Sequence, residues 1–104
     1  MNFSIPWSQP EIGKEELKLV THSFQDDWLS MGPKVKKFEE TMSKLLDAPY
    51  AVAVSNGTVA LDLVLKVVGI GPGDEVIVPS MTYFATTSVV SLQMATPVFV
   101  DIEK

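Results

Sequence analysis

Apolar positions fall in two rhythms along the chain. Leu17, Val20 and Phe24 recur at helical spacing, which predicts a helix over residues 12–24. Gly13 is placed to cap it, Glu15 and Glu16 suit the positive end of its dipole, and Ile12 and Leu17 are spaced for a hydrophobic staple. Val35, Phe38, Met42, Leu45 and Leu46 make one face of a second helix, 33–46, with Pro33 at its first position and lysines and glutamates opposite. Asp47-Ala48-Pro49 ends it. The rhythm then changes. Residues 50–54 and 75–79 are short, continuous apolar runs that predict buried strands, and 98–101 predicts a third. Between them lie a helix from about 58 to 68, apolar nearly all round and so expected to be buried on most sides, and a helix over 83–94 capped by Thr82. Asp62 and Lys66, spaced for an ion pair, mark the first one's wet edge. Residues 1–10, with Pro6, Trp7 and Pro10, read as an extended arm, and 25–32 as a loop.

From residue 50 onward the order is strand, helix, strand, helix, strand, which predicts an α/β fold with parallel strands. Ligands of such sheets bind beyond the carboxyl ends of the strands. Two loops lie there, Ser55-Asn56-Gly57-Thr58 and Ser80-Met81-Thr82-Tyr83. A strand that breaks at Gly57-Thr58 into a helix leaves that helix's first N–H groups unpaired beside its positive dipole end, a place suited to phosphate. Gly57 permits close backbone approach and Thr58 adds a hydroxyl donor. The plainer alternative is that Ser55 or Thr58 merely caps the helix. Tyr83 and Phe84 offer a ring face, or ordinary packing for one of the two. One loop for phosphate and one for a ring fit a phosphorylated aromatic cofactor. Ile70-Gly71-Pro72-Gly73-Asp74 follows a helix and precedes a strand, the reverse of a dinucleotide fingerprint, and reads as a tight turn.

Composition narrows the chemistry. With 104 residues and 46% apolar content, the chain fits one small folded domain. Its eight cationic side chains are all lysine and its net charge is −5, so it carries no nucleic-acid footprint and no guanidinium fork for an anion. The absence of cysteine removes disulfide and thiolate chemistry and is compatible with the cytoplasm. The N-terminus lacks the features of a signal peptide, and no apolar stretch has membrane-spanning length. His22 lies off its helix's apolar stripe, and Asp26-Asp27 lack calcium-loop spacing, so no metal site is expected.

Taken in order, Trp28-Leu29, Gly32-Pro33-Lys34-Val35, Phe38-Glu39, Ser55-Asn56-Gly57-Thr58, Ala60-Leu61, the run 69–79, Ser80-Met81-Thr82-Tyr83 with Ala85-Thr86, and the run 95–101 resemble the N-terminal part of the DegT/DnrJ/StrS family. These are sugar aminotransferases, pyridoxal 5'-phosphate (PLP) enzymes of fold type I. The resemblance implies the start of a partial three-layer α/β/α sandwich, the N-terminal part of the large domain of such an enzyme. Residues 1–104 would form a single incomplete domain, with an arm and two helices over 1–49 and the βαβαβ start of the PLP-binding part over 50–104. It implies that Gly57 and Thr58, with the backbone of Val59, bind the PLP phosphate and that Tyr83 stacks on the pyridine ring.

The family moves an amino group, usually from glutamate, to a keto group on a nucleotide-linked sugar, as a homodimer whose subunits both contribute to each site. Its members are several times longer than this chain. Their Schiff-base lysine and the acid for the pyridine nitrogen lie beyond the matched stretch, and no lysine here matches, so no catalytic residue is assigned. The expectation is an N-terminal fragment, inactive alone. Two alternatives stand beside it: a non-catalytic module that binds PLP or a nucleotide sugar, and a ligand-free structural or dimerisation domain using the arm and the Trp28 loop.

Overall fold

The computed structural model describes residues 6, 8–25 and 30–103, in two compact units, 1–51 and 52–104. Trp7, Asp26, Asp27 and Trp28, and with them most of the expected arm and the centre of the 25–32 loop, lie outside the described residues.

In the first unit, helices α1 (Lys14–Gln25) and α2 (Pro33–Leu45) stand where the apolar spacing places them. The Gly13 N–H donates to Glu16 Oε2 at 2.7 Å, and the Leu17 N–H to the Gly13 carbonyl at 3.3 Å. Gly13 is therefore the cap, and Glu16 reaches back to it as the acid of a capping box does. That bond holds the Glu16 carboxyl below its ordinary range. Gly32 precedes α2 without a side-chain cap, and Pro33 needs none for its missing N–H. Lys34 Nζ donates to Ser23 Oγ at 2.9 Å, tying the two helices.

The second unit contains α3 (Gly57–Val67), β1 (Glu75–Pro79), α4 (Ala85–Leu92) and β2 (Thr96–Val100). β1 and β2 pair in parallel, from Glu75↔Thr96 to Pro79↔Val100, with α4 as the crossover. A parallel connection needs such a crossover, and α4 supplies it at minimal length. The core is small: Val78 of β1, Ala85, Val89 and Val90 of α4, and Ala95. Leu65, Ile70 and Val76 pack against it. Thr86, Thr87, Ser88 and Ser91 are poor helix formers, and the buried Val89 and Val90 show what holds α4 in place.

Four expectations need correction. Residues 50–54 form no strand: the sheet among the described residues consists of β1 and β2, and Tyr50 and Val52 are exposed. Apolar content gives a run a tendency to be buried, whereas a strand requires a neighbouring ladder. α3 has no buried residue; Val64, Val67 and Val68 are well exposed, because among the described elements only α4 is laid against it. α4 is shorter than 83–94, its N-cap is Phe84 with no side-chain bond, and Thr82 is not the cap; its hydroxyl instead meets that of Thr86 at 3.0 Å. β2 begins at Thr96, two residues early, because the Thr96 N–H already donates to the Asp74 carbonyl at 2.9 Å.

Candidate functional site

The chain leaves residue 54 and enters α3 through Asn56, whose backbone is extended (φ −168°, ψ 171°). Asn56 Oδ1 accepts from the Val59 N–H at 3.0 Å, and its carbonyl accepts from the Ala60 N–H at 3.1 Å. The cap is thus Asn56, not Ser55 or Thr58. Asparagine is as good a cap as serine. Its choice decides which donors remain. The N–H groups of Gly57 and Thr58 and the Thr58 hydroxyl have no partner among the described residues. The Val59 N–H is occupied by the cap.

A Cβ built on Gly57 would meet nothing within 4 Å, and the residue is not in the left-handed region. Glycine is therefore not required by backbone strain here. What it preserves is open space over the free N–H groups, which a methyl group would enter.

That space belongs to an open cleft of about 940 Å³ between the N-terminal half of α3 and the start of α4. Gly57, Thr58 and Val59 line one wall and Tyr83, Ala85 and Thr86 the other. The structure so brings all four residues singled out from the sequence to one cavity. Tyr83 and Phe84 are both 78% exposed, so the alternative of ordinary packing for one of them is not met. No lysine, histidine or carboxylate among the described residues lines the cleft. Among the described residues no three metal-ligating side chains converge, and His22 is exposed on α1.

Outside the cleft lining, Asp62 joins two side chains. Its Oδ2 accepts from Lys66 Nζ at 2.7 Å and its Oδ1 from Gln93 Nε2 at 2.6 Å. The Lys66 bond keeps the Asp62 carboxyl below its ordinary range against some desolvation, with smaller contributions from the Lys66 charge and then the Gln93 bond. The sequence marked the Asp62–Lys66 pair but missed Gln93, whose distance along the chain gives no local signal.

An α/β unit whose helix terminus presents free N–H groups across a cleft from an exposed aromatic ring has the chemistry that suits an anion and a flat ring. The chain belongs to the DegT/DnrJ/EryC1/StrS aminotransferase family, whose model matches residues 10–104. It is 48% identical over 103 residues to the spore coat polysaccharide biosynthesis protein SpsC of Bacillus subtilis, covering 99% of this chain and 26% of that one. Spr1654 of Streptococcus pneumoniae, described as a sugar aminotransferase and solved in PMP (pyridoxamine 5'-phosphate) and PLP forms, superimposes with a TM-score of 0.89 at 44% identity. That likeness covers 97% of this chain and 26% of Spr1654. A GDP-4-keto-6-deoxymannose-3-dehydratase, solved with PLP and glutamate, matches at 26% identity and a TM-score of 0.87, over 96% of this chain and 28% of its own.

The chain therefore spans about a quarter of the length of these relatives. The fold expected from the sequence, part of the α/β large domain of a fold type I PLP enzyme, is the fold these structures have, and PLP is the family's cofactor. No helix among the described residues is long and apolar enough to cross a membrane.

Proposed function

We propose that this chain forms the cofactor-phosphate and ring-binding corner of a PLP-dependent sugar aminotransferase. The full enzyme would move an amino group, with glutamate as donor, to the keto group of a nucleotide-linked sugar. The observation that carries this reading is the unpartnered N–H pair of Gly57 and Thr58, with the Thr58 hydroxyl, facing Tyr83 across one cleft. Two backbone N–H groups and a hydroxyl at a helix N-terminus suit a dianionic phosphate, and the open space at Gly57 lets it approach. Val59 adds its N–H when the phosphate competes with Asn56 for it. Tyr83 contributes a flat face at which a pyridine ring stacks. Bound there, the cofactor supplies the electron sink that transamination needs.

Within the same reading, residues 1–104 make up one incomplete domain of a cytoplasmic homodimer, and the covalent lysine and the acid for the ring nitrogen come from elsewhere in the enzyme.

PMP is the suitable probe, because it has no aldehyde to react with surface lysines. In a titration of the ¹⁵N-labelled protein followed by NMR, the Gly57 and Thr58 amide signals are expected to move first. Thr58→Ala is expected to weaken PMP binding by about 1–3 kcal/mol, the loss for a hydrogen bond to a charged group. Unmoved Gly57 and Thr58 signals, or equal affinity in Thr58→Ala, would refute the phosphate site.

A further inference from the structure

α3 carries the free N–H groups, and α4 is the element it lies against. Leu65 of α3 packs against the cluster that includes Val90 of α4, an apolar contact that directs the register weakly. One bond across it is directional. Gln93, at the C-terminal cap of α4, donates Nε2 to Asp62 Oδ1 at 2.6 Å, and Asp62 sits one turn along α3 from Thr58. A carboxylate only accepts, so it fixes the amide with its NH₂ toward α3. The same amide nitrogen lies 3.4 Å from the Val89 carbonyl, so the Gln93 side chain folds back along its own helix while it reaches the neighbour. Asp62 is itself held by Lys66 from the other oxygen. The network lies outside the cleft lining yet joins the two walls that form it.

We propose that Gln93 is a positioning residue: its bond to Asp62 fixes the register of α3 against α4, and so the spacing between the Gly57–Thr58 N–H groups and the Tyr83 ring. This rests on the phosphate-and-ring reading above. A ligand touching only α3 is indifferent to that spacing, whereas a ligand spanning both walls depends on it. Sliding α3 by one residue along its axis moves the donors by about 1.5 Å, enough to misalign a hydrogen bond while leaving the apolar contact largely intact.

The test compares PMP, which spans the cleft, with inorganic phosphate, which needs one wall. Gln93→Met keeps length and apolar packing but removes the bond. It is expected to weaken PMP binding about tenfold while phosphate binding changes less than about twofold, the bond being to a charged group. Gln93→Glu alone sets two carboxylates together and is expected to lose more. Asp62→Asn with Gln93→Glu reverses donor and acceptor, restores the bond, and is expected to return PMP affinity to near the original. PMP affinity unchanged in Gln93→Met, phosphate and PMP affinities falling together, or a reversed pair that restores nothing would each overturn the positioning role. A parent protein that binds neither ligand, or a Thr58→Ala variant that binds PMP unchanged, would overturn the phosphate-site reading and this inference with it.

Discussion

At the entrance to α3, the Asn56 side chain takes the Val59 N–H and leaves those of Gly57 and Thr58 free. Tyr83, opposite, is expected to act through its ring. Tyr83→Ala is expected to weaken PMP binding by about 0.5–1.5 kcal/mol beyond the lost contact area, and Tyr83→Phe by much less. Calorimetric titration separates these; equal losses would place the contact on the hydroxyl instead. The position of this site was legible because an apolar run followed by Gly57-Thr58 forces a helix start, and a helix start exposes donors whatever the tertiary fold. Which residue caps was not legible, since Ser55, Asn56 and Thr58 are all competent and only the extended backbone of Asn56 selects among them. The exposure of both Tyr83 and Phe84 was hidden for another reason: burial depends on neighbours that a local pattern does not name.

α2, α3 and α4 end by one device. Each closes with a left-handed residue after the cap: Asp47 (φ 48°), Gly69 (φ 81°) and Met94 (φ 59°). In each, the next N–H reaches back into the last turn, Ala48 to Ser43 at 2.9 Å, Ile70 to Leu65 at 3.0 Å and Ala95 to Val90 at 3.3 Å. These are Schellman motifs, and only one uses the residue that adopts the conformation without strain. Met94→Gly is therefore expected to stabilise the protein by about 0.5–1 kcal/mol, the left-handed strain outweighing glycine's greater chain entropy. Gly69→Ala is expected to destabilise by about 1 kcal/mol although its methyl would meet nothing within 4 Å, because backbone strain is the whole effect. Urea midpoints measure both, and a stabilising Gly69→Ala would refute this account. Helix ends at Asp47 and Gly69 were readable from the flanking Pro49 and glycine. The third end was readable as a boundary at Met94, from Ala95-Thr96-Pro97 beyond it, but not as a left-handed methionine, since methionine gives no such signal.

At the scale of the whole molecule, no lysine and no carboxylate among the described residues lines the cleft, so the described lining offers no side chain to move a proton at a substrate carbon. The 104-residue chain alone is expected to show no transaminase turnover, as loss of one member of such a catalytic unit typically slows reaction by about a thousandfold or more. The assay supplies PLP, glutamate and keto-sugar nucleotides and follows 2-oxoglutarate. Turnover that disappears on Thr58→Ala would show that a lysine of this chain does the chemistry. The α/β order from residue 75 onward was legible because β1, α4 and β2 each carry their own pattern. The first expected strand failed because residues 50–54 carry the composition of a strand but not its partner.

The parallel pairing of β1 with β2 also has a consequence in time. Glu75 meets Thr96 and Pro79 meets Val100 only after α4 has carried the chain across, so no residue of β1 finds its ladder partner nearby in sequence. The α1 and α2 turns close over a few residues and form fast, while the ladder must first close a loop through α4 and therefore forms late. On a growing chain the order is fixed by direction: β1 emerges with its apolar face uncovered and waits for Val98 and Phe99 to be made. For that interval, Val76, Ile77 and Val78 form an unpaired apolar strand edge, the kind of stretch through which a nascent molecule pairs with another copy of itself.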